Sequence, residues 1–264
     1  MKYLIKSLTE IEKKIRTRPG CLLFLDFDGT LAALTPTPAQ AILSKKNKLL
    51  LQQASRLMPT AIVTGRSLAD IKQKVGIKNL IYAGNHGLEW QIAGKQGKIR
   101  IPAKMIAAID SLRRPLSDLC EKYPGALVEN KNLGLALHYR LVSPCLASQL
   151  LKEAKQLITP FQRKQLLKIT ESKKTLDIRP ALLWNKGTWI KFLQKKINKQ
   201  LLPIYIGDDI TDEDVFKILQ PGITIKVGIN RESKANYYCH NIKQVGLFLN
   251  WLIKLNKSSV LACL

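Results

Sequence analysis

Apolar side chains recur at three- and four-residue intervals over the first twenty positions, at Leu4, Leu8, Ile11 and Ile15. Pro19-Gly20 closes that run, so the spacing predicts an amphipathic helix ending there. The pattern then changes. Cys21 to Leu25 is continuously apolar and is followed at once by Asp, Gly and Thr, the form of a parallel strand buried on both faces. Ala61-Ile62-Val63, Leu80-Ile81-Tyr82-Ala83, Pro203-Ile204-Tyr205-Ile206 and Ile223 to Val227 repeat the form. Helical spacing separates the runs: at 44–57, from about Ser67, from Lys186 to about Ile197, and after the fourth run through Leu219.

The middle of the chain has another rhythm. A helix is expected at 103–122, strands at Ala126–Asn130 and Leu133–Arg140, a helix at Ser143–Ile158, and strands at Leu166–Thr170 and Thr175–Ile178. Short strand pairs between helices predict an antiparallel sheet with helices on one face. The fold class is therefore α/β: a Rossmann-like doubly wound parallel sheet with an inserted α+β cap domain. The core is expected at 1–102 and 181–264 and the insertion at 103–180. No internal repeat stands out.

Composition narrows the classes. The 264 residues are 46% hydrophobic and 6% aromatic, enough for a core. No apolar run reaches the ~18 residues of a spanning helix. The charged N-terminus lacks the apolar middle of a secretory signal, and the tail Leu261-Ala262-Cys263-Leu264 is not a prenylation box. Cys21, Cys120, Cys145, Cys239 and Cys263 are scattered and form no C-x-x-C, so the default is a reducing cytoplasm without disulfides or structural zinc. Forty-three basic residues against 19 acidic ones give +24. That field attracts anions, a phosphorylated substrate among them. The 32 lysines and 11 arginines spread over the whole length without an aromatic-basic stripe, so nucleic acid is an unlikely partner.

Four short pieces carry candidate chemistry. In Asp26-Phe27-Asp28-Gly29-Thr30, two carboxylates just past a strand end can converge on one centre if Gly29 turns the chain, and hard oxygen ligands suit Mg²⁺. Alone, the pair also reads as an acidic strand-to-turn junction. Thr64-Gly65-Arg66 offers a hydroxyl and backbone N–H groups to an anion at a helix start, or simply an N-cap and a solvated Arg. Lys186-Gly187 opens a helix, where a cation opposes the dipole. From Asp208 to Asp214 stand five acids in seven residues of a very basic chain, and their mutual repulsion argues for a bound cation. All four pieces follow strands or open helices, at the sheet end where such folds bind ligands. Carboxylates, a metal, a hydroxyl and a lysine are equipment for phosphoryl transfer through a carboxylate nucleophile.

D-F-D-G-T-L at 26–31, T-G-R at 64–66, N-K-G at 185–187 and G-D-D-x-T-D-E-D at 207–214 resemble the four motifs of the haloacid dehalogenase superfamily of phosphatases. The insertion lies between the second and third, as in the C2-cap subgroup. V-E-N-K at 128–131, L-A-L-H-Y-R at 135–140, L-D-I-R-P at 176–180 and A-G-N-H-G-L-E at 83–89 are similar to strings of the trehalose-6-phosphate phosphatases. The resemblance implies Asp26 as nucleophile and Asp28 as acid and base. It implies Mg²⁺ held by the Asp26 carboxylate, the Asp28 carbonyl and Asp208, with Asp209 and Asp212 close behind. Thr64 and Lys186 would hold phosphate oxygens, with Gly65 and Arg66 beside them. Sugar contacts are implied for Glu129, Lys131, Arg140, Lys173 and Asp177. The last departs from the family pattern, where Glu stands, and is one methylene shorter. His86 and His138 are expected to be structural.

The resemblance implies a Mg²⁺-dependent phosphatase of trehalose 6-phosphate acting through an aspartyl-phosphate. The alternatives are a phosphatase of another sugar phosphate, of the sucrose 6-phosphate or mannosyl-3-phosphoglycerate type, and a basic nucleic-acid-binding protein on the same fold. The sequence fixes no oligomeric state.

Overall fold

A computed structural model of the chain describes residues 1–261, with side chains to residue 257, so the Cys263 tail lies outside the described residues. The chain divides into two compact units. Met1–Leu34, Ala41–Gly97 and Trp184–Leu264 form the first; Thr35–Gln40 and Lys98–Leu183 form the second. The second unit begins earlier and ends later than 103–180. At its far end Ala181 N–H donates to the Leu166 carbonyl and Lys168 Nζ to the Leu182 carbonyl, which ties 181–183 to the inserted strands.

In chain order the elements are β1 (Lys2–Tyr3), α1 (Leu8–Arg16), β2 (Cys21–Leu25), α2 (Lys45–Leu57), β3 (Thr60–Val63), α3 (Leu68–Val75), β4 (Ile81–Gly84), β5 (Glu89–Ile92) and β6 (Lys95–Lys98). The insertion adds α4 (Ala103–Glu121), β7 (Leu127–Asn130), β8 (Leu135–His138), α5 (Pro144–Arg163), β9 (Leu167–Ser172) and β10 (Thr175–Pro180). Then come α6 (Lys186–Ile197), β11 (Leu202–Gly207), α7 (Glu213–Phe216), β12 (Ile223–Val227), β13 (Tyr237–Cys239) and α8 (Ile242–Leu261).

The large sheet has the order β1-β13-β12-β11-β2-β3-β4-β5-β6, parallel from β1 to β4 and antiparallel at β4–β5. Its strands are apolar on both faces because each face has its own core. Leu23, Leu25 and Phe27 enter one cluster with Leu51 of α2, Ile71 of α3 and Phe248 of α8. Leu22 and Phe24 enter the other with Trp189 of α6 and Phe216 of α7. Strict alternation along β2 is what a doubly wound sheet demands.

Several elements differ from the sequence reading. The N-terminal helix stops at Arg16, where Thr17 Oγ1 turns back to the Lys14 carbonyl, and Lys2-Tyr3 instead pairs in parallel with β13. The helix expected through Leu219 is a 3-10 turn at Ile210–Asp212 and the four-residue α7, because Asp209 and Asp212 are used as caps. The β5 and β6 strands, turned at Ala93-Gly94 with φ of 47° and 79°, were not expected. Nor was α8, although Val245, Phe248, Leu249, Leu252 and Ile253 show helical spacing and are all buried.

In the second unit the sheet order is β7-β8-β10-β9, antiparallel at every pairing. Leu135, Leu137, Leu176 and Ile178 join Leu112 and Leu116 of α4 and Leu150 and Ile158 of α5 in one core. The opposite sheet face is therefore assigned by period two to Glu129, Ala136, His138, Thr175 and Asp177.

The N-terminal segment is fastened by Glu10, which accepts from Lys2 Nζ at 2.8 Å and from the Tyr237 hydroxyl at 2.9 Å and pairs with Lys14 at 3.1 Å. Those donors, Lys2 first, hold its carboxyl down at about 2. A depressed acid adds stability above its unfolded pKa and loses it as pH falls through the folded value. Glu10→Gln should therefore lower the melting temperature at neutral pH, and the gap from wild type should close as the pH approaches about 2. Thermal unfolding across that range measures it; a constant gap would show that the charge is not what Glu10 contributes.

Candidate active site

β2 delivers Asp26. Its N–H donates to the Ile206 carbonyl at 2.9 Å, so the ladder with β11 runs one residue beyond the strand. Gly29 then reverses the chain, with φ of 84° and its N–H on the Ala32 carbonyl at 2.7 Å. A Cβ at Gly29 would collide with the Asp208 carboxylate, so the position needs both the left-handed conformation and the missing side chain.

α6 delivers Lys186 at its first residue. Asn185 caps that helix in a reciprocal box with Thr188. Lys186 is 2% exposed and bridges Asp26 Oδ1 at 2.8 Å and Asp212 Oδ1 at 2.7 Å. The unfavourable helix-dipole position is thus offset by two carboxylates. Asp212 is fully buried; it also accepts from the Tyr205 hydroxyl and, through Oδ2, from Asp209 N–H at 2.8 Å. Burial pushes the Asp212 carboxyl up, but Lys186 outweighs it and holds the group below the ordinary carboxylate range. Asp26 shares the same lysine and goes the other way. Burial, with Asp212 and Asp208 adding repulsion, overcomes Lys186 and raises it well above the usual value. For Lys186 burial alone favours the neutral amine, yet Asp212 and Asp26 keep it charged.

Oxygens of Asp26, Asp208 and Asp212 all lie within 4.8 Å of one another. An all-carboxylate donor set in a buried setting fits a hard divalent cation, which would also relieve the repulsion that raises Asp26. Asp28 and Asp209 are outside that group. The Asp209 side chain caps its own turn through Ile210 N–H at 2.7 Å. Asp28 accepts from Arg66 Nε and Nη2, both at 2.7 Å, and Arg66 Nη1 donates to Asp70 at 2.7 Å. Arg66 is buried and its guanidinium lies 5.4 Å from the Phe27 ring centre. Thr64, buried at the end of β3, accepts from Arg66 N–H at 3.2 Å.

Sequence reasoning missed three groups. Tyr205 reads as core because both faces of a parallel strand are apolar. Asp70 reads as a helix-face acid. Lys226 was detectable, since it interrupts an apolar strand; it is buried and donates to the Asp208 and Asp209 carbonyls at 3.0 and 3.2 Å.

In the second unit, Lys131 Nζ meets Asp177 Oδ1 at 2.9 Å, and Arg179 Nε lies 2.9 Å from Asp177 Oδ2. Glu129 meets the His138 ring at 2.9 Å. Arg140 lies beyond β8, and its Nη2 donates to the Lys173 carbonyl at 2.8 Å, in a turn where Lys173 and Lys174 have φ of 50° and 61°. Glu129, Lys131 and Asp177 thus gather on the sheet, while Arg140 and Lys173 belong to a turn.

The sheet order and the acids at its strand ends define an α/β fold of the haloacid dehalogenase type. A trehalose-phosphatase family model matches residues 24–242. Trehalose-phosphate phosphatase B of Arabidopsis thaliana is 31% identical over 256 residues, spanning 90% of this chain and 68% of that protein. The probable trehalose-phosphate phosphatase 4 of Oryza sativa subsp. japonica is 31% identical over 97% of this chain and 71% of its own length. The structure of the C. albicans trehalose-6-phosphate phosphatase C-terminal domain shares the fold with a TM-score of 0.83 at 23% identity, over 96% of this chain and 98% of that one. The chain belongs to the trehalose-phosphatase family of enzymes.

The Lys186 bridge gives a stability prediction. The raised lysine stabilises below its unfolded pKa and the depressed Asp212 above its own, so the bridge acts across the neutral range. Lys186→Met leaves two buried acids without their shared cation, at a cost of about 3–5 kcal/mol. Thermal unfolding should show a large loss near pH 7.5 that shrinks at about pH 5, where the variant takes up a proton. A loss independent of pH would assign the effect to packing.

Proposed function

We propose that the chain hydrolyses trehalose 6-phosphate to trehalose and inorganic phosphate in two displacements at Asp26. The observation that carries the reading is a buried carboxylate at a strand end, held at 2.8 Å by a lysine it shares with Asp212. An Asp26 oxygen attacks phosphorus, the bond to the sugar oxygen breaks, and that oxygen takes a proton from Asp28. Asp28 then removes a proton from water, whose oxygen attacks the aspartyl-phosphate and restores Asp26. Lys186 opposes the burial that favours the neutral acid at Asp26, and it offsets charge on the transferring group. Thr64 already accepts from Arg66 N–H and has its own proton to give a phosphate oxygen. Gly65 and Arg66 complete that side. Because Arg66 holds both Asp28 oxygens, proton transfer requires Asp28 to turn away from the guanidinium.

The cation that suits the acids is Mg²⁺, which Asp26, Asp208 and the Asp28 carbonyl would hold, with Asp209 and Asp212 close behind. When bound it supplies positive charge that lets an anionic carboxylate approach a phosphate dianion. The second unit has a separate task, recognition of sugar hydroxyls by Glu129, Lys131, Arg140, Lys173 and Asp177. Among the described residues no helix is long and apolar enough to cross a membrane, and Cys21, Cys120, Cys145 and Cys239 are free thiols. A reducing cytoplasm fits those thiols.

Two outcomes test the reading. Asp26→Asn should fold and lose several orders of magnitude in turnover; retention of more than about a tenth of wild-type activity would reject the nucleophile. Phosphate release should be fastest from trehalose 6-phosphate in a panel with sucrose 6-phosphate, mannosyl-3-phosphoglycerate and p-nitrophenyl phosphate. It should vanish on chelation and return with Mg²⁺, with Ca²⁺ binding but supporting little turnover because its looser shell spoils alignment. Full activity after exhaustive chelation would remove the metal from the scheme.

A further inference from the structure

The polar face of the second unit's sheet carries two acids, Glu129 and Asp177. Asp177 lies between two cations, Lys131 and Arg179. Glu129 meets an imidazole. His138 stands directly opposite Leu127 on one neighbouring strand and Thr175 on the other, and Glu129 is two residues along from Leu127. Glu129 and His138 are thus diagonal neighbours on one face, within reach of long side chains. The ring uses both nitrogens: Nε2 is 2.9 Å from Glu129 Oε2 and Nδ1 is 3.1 Å from Thr175 Oγ1.

The chemistry of these partners orders the protons. A carboxylate only accepts, so Nε2 carries a hydrogen and donates it to Glu129. In the neutral ring Nδ1 then accepts from the Thr175 hydroxyl. Glu129 thereby selects the tautomer, the Thr175 hydroxyl steadies the ring from its other side, and the imidazole links Thr175 to Glu129. A glutamate on a strand has three side-chain torsions to fix before it can meet a ligand, and ordering it beforehand lowers the cost of binding. The directly opposite residue, Ala136, is too small to do this.

We propose that His138 is a positioning residue. Fixed by Thr175, it holds the Glu129 carboxylate in the orientation that accepts a sugar hydroxyl, in place of the purely structural part its sequence suggests. The proposal rests on the reading that Glu129 contacts the sugar of the substrate.

The two amide replacements of histidine separate the roles of its nitrogens. The Gln amide nitrogen reaches about where Nε2 was, and the Asn amide nitrogen about where Nδ1 was. His138→Gln keeps a donor for Glu129; His138→Asn keeps only the Thr175 side. For trehalose 6-phosphate, His138→Asn should lower kcat/KM ~10-fold, mostly through KM, and His138→Gln by no more than ~3-fold. Hydrolysis of p-nitrophenyl phosphate, which has no disaccharide to recognise, should stay within about 2-fold for both. Thr175→Val should fall between them. The deciding arm is a double-mutant cycle: in a Glu129→Ala background, His138→Asn should cost almost nothing more.

An equal loss from His138→Asn with and without Glu129, or an equal loss on both substrates, would overturn the proposal and leave His138 as packing. If Glu129→Ala itself leaves trehalose 6-phosphate hydrolysis unchanged, the premise about Glu129 fails and the proposal with it. That result is distinct from failure of the enzymatic reading, which wild-type activity on the substrate panel decides. Should His138→Asn not fold, the contrast of Thr175→Val with wild type, in the presence and absence of Glu129, reads the same linkage.

Discussion

One buried ammonium holds the active centre together. Lys186 reaches two carboxylates that neither water nor distance can quiet, since Asp212 is fully buried and Asp26 is 4% exposed. Two such acids cannot both stay ionised in a low-dielectric site without a shared cation. Lys186 resolves this unevenly. Asp212 has also the Tyr205 hydroxyl and Asp209 N–H, so it is held as the anion. Asp26 has fewer donors among these and more repulsion, so it is the group left reactive to a further positive charge. The division follows from the donors around each carboxylate, and the Asp26, Asp208 and Asp212 oxygens together make a cluster that could hold an additional cation.

That arrangement depends on where the strands end. β2 and β11 are neighbours, with Leu25 paired to Ile206, so the residues just beyond them, Asp26 and Asp208, emerge side by side. Alternation inside β2 anchors the exit: Leu23, Leu25 and Phe27 enter one core and Leu22 and Phe24 the other. A one-residue slip would exchange these sets between two differently shaped cores. The precision of the charged cluster is therefore inherited from apolar packing on both sides of the sheet. Gly29 completes it, because any larger residue would occupy the space of the Asp208 carboxylate.

The elements whose period is unbroken were legible from sequence, among them the apolar runs at β2, β3, β11 and β12 and the insertion's helices. What escaped reading has specific physical causes. β1 and β13 are strands of two and three residues, too short to show a period. β5 and β6 are held at the end of the sheet with a left-handed Ala93, a conformation no composition rule assigns to alanine. In the site, short acidic motifs announced themselves because they reverse the charge of the chain. Tyr205 did not, because a tyrosine on a buried strand looks like any other core aromatic until its hydroxyl is seen on Asp212. The sequence offers Arg66 to an anion or to solvent; in the structure it also spans Asp28 and Asp70, and the pairing with Asp28, across 38 residues, is one that spacing alone cannot reveal.

The departure at Asp177 becomes intelligible on the same grounds. A shorter acid keeps its charge close to the sheet, where side chains from adjacent positions converge. There Lys131 and Arg179 both lie 2.9 Å from its oxygens, and Arg179 Nη2 continues to the Thr170 hydroxyl at 2.8 Å. A glutamate would place its carboxylate one methylene further out and would draw Lys131 with it. Glu129 keeps the longer side chain and reaches the His138 ring on the neighbouring strand at 2.9 Å. The two acids flank the small Ala136 from the strands on either side of it. The shorter acid at Asp177 thus sets where the Lys131 ammonium stands on this face, 2.9 Å from its oxygen.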